Sequence, residues 1–190
     1  MRYRLIVGIA GASGVIYGLR MLEHLQPLEI ETHLILSEAA RTNIEIETSY
    51  KINDVEQMAS KVYDNRNVGA NIASGSFITK GMVVIPCTIK TLSGIANSYN
   101  TNLLIRASDV CLKEKRKLIL VVRETPLHQG HLKLMTTAAE MGAHILPPIP
   151  SFYNSPKTIE DILDQTIGKI FDYLKIEHKL FRRWGNNCKV

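Results

Sequence analysis

Cysteine is scarce in this sequence. Cys87, Cys111 and Cys188 are widely spaced and form no C-x-x-C pair, so nothing suggests a structural zinc site or a dithiol switch, and the three read as free thiols in a reducing compartment. Long apolar runs are missing too. Leu5 to Ile9 is too short for a signal h-region, and no stretch approaches a membrane span. A cytoplasmic protein is therefore expected, with no membrane span. Basic stripes are absent: Lys and Arg total 23 against 18 Asp and Glu, and the densest cluster, Lys113 to Lys117, contains Glu114 and flows into the apolar run Leu118 to Val122. That cluster reads as a solvated helix end, so no nucleic-acid partner is expected. Internal repeats, low-complexity segments and linkers are also lacking.

What remains is a chain of 190 residues, 45% apolar, long enough for one sizeable core and too short for two full domains. Arg4 to Ile9 is a β-rich run that gives way to Gly11-Ala12-Ser13-Gly14, after which Val15, Leu19 and Leu22 repeat at helical spacing. Thr32 to Leu36 repeats the strand signal, with Ser37 placed to cap a helix through Glu47. Met82 to Ile85 predicts a third strand, stopped by Pro86. Leu118 to Val122 predicts a fourth, and Ile145-Leu146 a short fifth. The last helix is the clearest: Ile159, Ile162, Leu163, Thr166, Ile167, Ile170, Phe171 and Leu174 form one stripe, opened by Thr158 with Asp161 at the capping-box position. The stretch from Asn53 to Ser76 reads as a helix followed by an excursion of no evident form.

Strands alternating with helices predict a single-domain α/β fold: a doubly wound, mostly parallel, Rossmann-like sheet with ligands at the carboxyl ends of its strands. Three strand ends carry suggestive chemistry. Gly11 and Gly14 allow close approach of backbone to a ligand at a helix amino terminus, and Ser13 adds a hydroxyl, although Gly8, Gly11 and Gly14 do not spell the dinucleotide fingerprint. A turn that merely packs helix on strand explains the same residues. After Ile85-Pro86-Cys87 come Thr88, Ile89, Lys90 and Thr91, where simple N-capping by Thr88 competes with ligand binding. After Val122 stand Arg123 and Glu124, a functional pair or a surface salt bridge. His128 and His131 would open a helix facing solvent; no third ligand accompanies them, and no metal is assigned.

The ordered set G-A-S-G at 11–14, S-G-S at 74–76, P-C-T-I-K-T-L-S at 86–93, R-A-S-D-V-C-L-K-E at 106–114, V-R-E-T-P-L at 122–127, F-Y at 152–153 and R-W at 183–184 resembles the UbiX family of flavin prenyltransferases over essentially the whole chain. The resemblance implies one flavin-binding domain over 1–190, with a C-terminal helix and tail from about 158 completing the site. It implies FMN held by Gly11, Ala12, Ser13, Ser37, Thr88, Ile89, Lys90, Thr91 and Arg123, and a prenyl phosphate gripped by Arg106, Lys113, Tyr153 and Lys169. The reaction implied is transfer of the dimethylallyl group of dimethylallyl monophosphate to N5 and C6 of reduced FMN, the prenylated FMN passing to a UbiD-type decarboxylase. Ser13, Glu47, Glu124 and Trp184 are the implied catalytic residues: the C6 proton has Glu124, Ser13 and the released phosphate as candidate acceptors, Glu124 with Ser13 as relay being favoured, and Trp184 offers a π face. Glu47 would reach the prenyl group from a neighbouring subunit, or else be a solvated helix end. Homo-oligomers, dodecamers among them, are implied as well. Two alternatives stay open: a flavin-dependent decarboxylase acting directly on its substrate, and a non-catalytic flavin carrier.

Overall fold

The computed structural model describes residues 3–185, so Cys188 lies outside the described residues. Two compact units divide the chain, Met1–Pro147 and Pro148–Val190.

The first unit holds the whole sheet. Its strands are β1 (Tyr3–Ile9), β2 (Ile30–Leu36), β3 (Lys61–Asp64), β4 (Gly81–Cys87), β5 (Lys117–Val122) and β6 (His144–Ile145). All pairings are parallel, in the order β3-β2-β1-β4-β5-β6, so the doubly wound expectation is met and the chain reverses direction of winding between β1 and β4. The helices are α1 (Ile16–Leu25), α2 (Glu38–Glu47), α3 (Ile52–Gln57), α4 (Ile89–Ala96), α5 (Leu103–Lys113) and α6 (Gln129–Glu140). On one face, Ile6, Ile35, Met82, Val84, Leu118 and Leu120 share a core with Leu92 and Ile95 of α4, Leu104 and Ala107 of α5 and Ala138 of α6. On the other lies α1. A Cβ on its Gly18 would stand 2.6 Å from the Ile85 carbonyl oxygen and 2.7 Å from Ile9 Cδ1, which shows how closely that helix approaches β1 and β4. Leu19, Met21 and Leu22 are fully buried there, each contributing about 1.5–3 kcal/mol.

Several expectations need correction. The 53–76 region contains, besides α3 and a 3-10 turn at Asn71–Ala73, the edge strand β3, which was not foreseen. Pro86 does not stop β4; the strand runs through a cis Ile85-Pro86 bond and a register shift to Cys87. The last strand is His144–Ile145, one residue earlier than expected. The Lys113–Lys117 segment is not simply solvated, because the Arg116 guanidinium donates to the carbonyls of Phe77 (2.8 Å) and Gly75. His128 does cap α6, its Nδ1 accepting from Gly130 N at 3.0 Å, but His131 is half-buried, its ring 3.5 Å from that of His128.

Cys87 and Cys111 are free and buried, and burial pushes both thiols up, Cys111 to about 12, so both are inert as nucleophiles. At the amino side of the sheet His33 is buried. Its Nδ1 pairs with the Tyr63 hydroxyl at 2.9 Å, while Nε2 lies 3.3 Å from Glu31 Oε1 without the alignment of a hydrogen bond. Burial lowers the affinity of this imidazole for a proton, against the pull of Glu31.

The second unit is built on α7 (Ile159–Leu174). Its capping box is as expected: Thr158 Oγ1 accepts from Asp161 N at 3.2 Å, and Asp161 Oδ2 accepts from Thr158 N at 3.1 Å and Lys157 N at 2.8 Å. Those backbone bonds hold the Asp161 carboxyl below the usual range. Of the expected stripe, Leu163, Thr166, Ile167, Ile170, Phe171 and Leu174 are buried, whereas Ile159 is 70% exposed because it sits in the first turn. The segment after α7 folds back on the helix. Gly168 leaves a flat slot that Phe181 fills, such that a Cβ there would stand 2.5 Å from Phe181 Cδ1. Asp172 takes both arms of Arg183 (2.6 and 3.0 Å) and a bond from His178 Nε2 at 3.1 Å. His178 Nδ1 accepts from Leu180 N, so its Nε2 carries the proton that Asp172 receives. Arg183 keeps the Asp172 carboxyl below the usual range.

Candidate active site

The carboxyl ends of β1, β2, β4 and β5 are knitted together by backbone. Ser37 N donates to Ile9 O (3.0 Å), Ala10 N to Pro86 O (3.1 Å) and Arg123 N to Cys87 O (3.1 Å). These three bonds bring Gly11, Ala12, Ser13, Ser37, Thr88, Ile89, Lys90, Thr91 and Arg123 onto one sheet edge, at the point where winding reverses. Open α/β sheets bind ligands at that place.

Each local segment has a physical reason for its shape. Gly11 faces α2 so closely that a Cβ would overlap that of Ala39 and stand 2.9 Å from the Ala39 carbonyl carbon. Asn43 Nδ2 holds the Gly11 carbonyl at 3.1 Å. Gly14 has φ of 92°, a conformation only glycine adopts without strain. Ser37 and Thr88 are the N-caps of α2 and α4: Ser37 Oγ accepts from Ala40 N and Thr88 Oγ1 from Thr91 N, both at 3.0 Å. Capping uses a lone pair of the Ser37 hydroxyl and leaves its proton to donate outward. Arg123 and Lys90 are exposed, and neither side chain has a partner among the described residues. The surface salt bridge between Arg123 and Glu124 is not made; Glu124 Oε1 instead accepts from Thr125 N at 3.1 Å.

Glu47 lies at the end of α2, and its Oε2 accepts from Gly14 N at 2.7 Å. It is thus not a merely solvated helix end. It sits beside Ser13. Nothing in the sequence between positions 14 and 47 signals this contact, and the same is true of Asn43 on Gly11.

Arg106 and Lys113 lie seven residues apart on one face of α5, about 10 Å along its axis. Arg106 pairs with Asp109 at 3.1 Å and Lys113 with Glu114, beside Gly75 of the S-G-S segment. In the second unit Tyr153 and Trp184 meet edge to face with ring centroids 5.5 Å apart, and Lys169 stands over the Phe181 ring at 5.6 Å with Arg183 at 5.4 Å. This cluster joins a phenol, an indole and two cations, with Arg183 fixed by Asp172. The sequence reading took Trp184 and Lys169 from the resemblance and missed the Asp172–Arg183 clamp that holds the tail. An acid and a base eleven residues apart, the first on a helix, were its only signal.

A glycine-lined strand edge with uncommitted cations and hydroxyl donors at the reversal point of a doubly wound sheet defines a flavoprotein-type α/β site. The Flavoprotein family model matches residues 1–184. A flavin prenyltransferase UbiX of Thauera aromatica is 55% identical over 184 residues, covering 97% of this chain and 95% of that protein. Among solved structures, AnUbiX (PadA1) in complex with FMN and dimethylallyl pyrophosphate superposes with a TM-score of 0.96 at 40% identity, covering 98% of this chain and 99% of that one. A dodecameric FMN-dependent UbiX-like decarboxylase from Escherichia coli O157:H7 gives 0.94 at 44% identity, covering 96% and 100%. The chain belongs to the UbiX family of flavin prenyltransferases.

Proposed function

We infer that this chain transfers the dimethylallyl group of dimethylallyl monophosphate to N5 and C6 of reduced FMN. The observation that carries this reading is the strand edge itself: among the described residues Arg123, Lys90 and the outward proton of Ser37 are donors without an acceptor, gathered where the sheet reverses its winding. That donor set fits a flavin and its phosphate.

Reduced FMN supplies the two nucleophilic atoms. The chain supplies the rest. Gly11, Ala12 and Ser13 lie against the ring; Ser37, Thr88, Ile89, Lys90, Thr91 and Arg123 hold its polar groups and phosphate. Arg106, Lys113, Tyr153 and Lys169 stabilise charge on the departing phosphate, which helps most as that charge develops. Tyr153 and Trp184 present π faces to an electron-poor allylic carbon and exclude water from it. Glu124 accepts the proton leaving C6, with Ser13 relaying it, and Glu47, fixed by Gly14 N, steers Ser13.

The prenylated product passes to a UbiD-type decarboxylase, and the chain works as a homo-oligomer, in keeping with the dodecamer of its E. coli relative. A cytoplasmic location suits the buried free thiols Cys87 and Cys111. A second reading, direct decarboxylation, is favoured by the names borne by that relative and by a phenylacrylic acid decarboxylase from Aquifex aeolicus of similar fold. A mass spectrum separates them. After anaerobic incubation with reduced FMN and dimethylallyl monophosphate, flavin heavier by one dimethylallyl unit is expected; unmodified flavin, with carbon dioxide released from an aromatic acid, would establish the decarboxylase.

A further inference from the structure

The second unit contains a cleft of about 510 Å³ that the reading above does not use. Its floor and one wall are Asn154, Ser155, Pro156 and Lys157, which lead into α7. Lys179, Leu180, Phe181 and Arg182, on the returning tail, form the other. Three cations line it, Lys157, Lys179 and Arg182, and none of these side chains has a hydrogen-bond or ion-pair partner among the described residues. The only carboxylate in the lining is Asp161, and its Oδ2 is already taken by Lys157 N and Thr158 N. The neighbouring Arg183 contrasts with the three, since Asp172 neutralises it. A further polar atom, Asn154 Oδ1, is buried without a partner; its amide turned over would present N–H donors at the same place.

Three like charges gathered on two chain segments repel one another, and the segments are not free to separate. Gly168 receives Phe181, and Asp172 clamps Arg183, so the backbone that carries Lys179 and Arg182 is held against α7. A fixed, uncompensated set of cations is a preorganised anion site. The volume lies in the range of small-molecule pockets and exceeds what one phosphate fills, and Leu180, Phe181 and Pro156 give it an apolar side. We propose that this cleft binds the diphosphate group of a small organic ligand, through Lys157, Lys179 and Arg182. The proposal does not depend on the flavin reading, and it shares no residue with Arg106, Lys113, Tyr153 or Lys169.

Isothermal titration of the full-length protein with inorganic phosphate, inorganic diphosphate and ADP tests it. Diphosphate and ADP should bind at least tenfold tighter than phosphate. The triple variant Lys157→Ala/Lys179→Ala/Arg182→Ala should lose at least tenfold in affinity for both, while the flavin titration of the triple variant is unchanged. Its side chains are exposed and mutually repulsive, so its melting temperature should not fall; if it does, Lys179→Glu alone must give the same loss. Wild-type affinity in a folded variant, diphosphate binding no tighter than phosphate, or preference for a glutamate-rich peptide over ADP would each overturn the proposal. Tighter binding of ADP than of inorganic diphosphate would assign the apolar side to the organic part.

Discussion

Replacing Gly168 by Ala sets two effects against each other in α7. By propensity alone the change should help, because Ala is better than Gly in a helix interior by about 0.8–1.0 kcal/mol. The new Cβ, however, would stand 2.5 Å from both Cδ1 and Cε1 of Phe181 and 2.8 Å from His178 Cε1, where ordinary contact begins near 3.4 Å. Phe181 is only half-buried, so the ring can leave its slot rather than strain the helix. Overpacking costs about 1–3 kcal/mol, so net destabilisation should not exceed about 2 kcal/mol. For a chain of this size that is only a few degrees in Tm. The larger effect is positional: expelling Phe181 drags Lys169 and Arg183 off its face and moves Trp184 relative to Tyr153, and a displacement of about 1 Å can cost roughly a hundredfold in rate. Three measurements on Gly168→Ala decide it: urea unfolding, the emission of Trp184, which is the sole tryptophan, and the single-turnover rate of flavin prenylation under anaerobic conditions. We expect near-normal stability, shifted emission, intact flavin binding and a rate at least tenfold lower. Phe181→Ala should reproduce this, and the double variant should be no worse, since both act through one contact. Wild-type emission together with a wild-type rate would refute the argument, whatever the stability.

Arg123→Ala should weaken flavin binding tenfold or more by fluorescence titration, because a charge-assisted hydrogen bond to phosphate is lost; an unchanged Kd would remove Arg123 from the flavin site. Tyr153→Phe should leave flavin bound but slow prenylation by roughly tenfold to a hundredfold, about 1.4–2.7 kcal/mol of barrier, and loss of flavin instead would mean the phenol holds the fold. His33 gives a pH signature. Burial against Tyr63 and Phe77, aided by Arg4 and Lys61 and opposed by Glu31, lowers its folded-state proton affinity, so the unfolded chain binds the proton first. Stability from this residue is full above about pH 6.5 and falls as the pH drops below it. Urea midpoints from pH 8 to pH 5 should show the slope in wild type and less of it in His33→Gln; equal slopes would exonerate His33.

The strands that carry the site were legible because they are buried on both sides. Leu34, Ile35 and Leu36, or Leu118 through Val122, are continuous apolar runs ending in capping or charged residues. β3 was not, since in Lys61–Asp64 only Tyr63 is buried and an edge strand of that length has no run to read. Caps were visible at Ser37, Thr88 and Thr158 because capping is local chemistry. Glu47 on Gly14, Asn43 on Gly11 and Arg183 on Asp172 were invisible for the converse reason: each joins residues from 11 to 33 positions apart, and only the folded backbone sets their register.

The strand order also bears on how the chain is made. β1 comes first in sequence but stands in the middle of the sheet, and its second neighbour, β4, begins only at Gly81. Until that point of synthesis, β1 has β2 on one side and, along Leu5 to Gly8, an unpaired row of backbone N–H and C=O groups on the other. That edge is apolar, and an unpaired strand of this kind can template a stranger. Any nascent or truncated product that stops before β4 is therefore a candidate for intermolecular pairing, and yields of soluble fragments should rise abruptly once Gly81 to Cys87 are included.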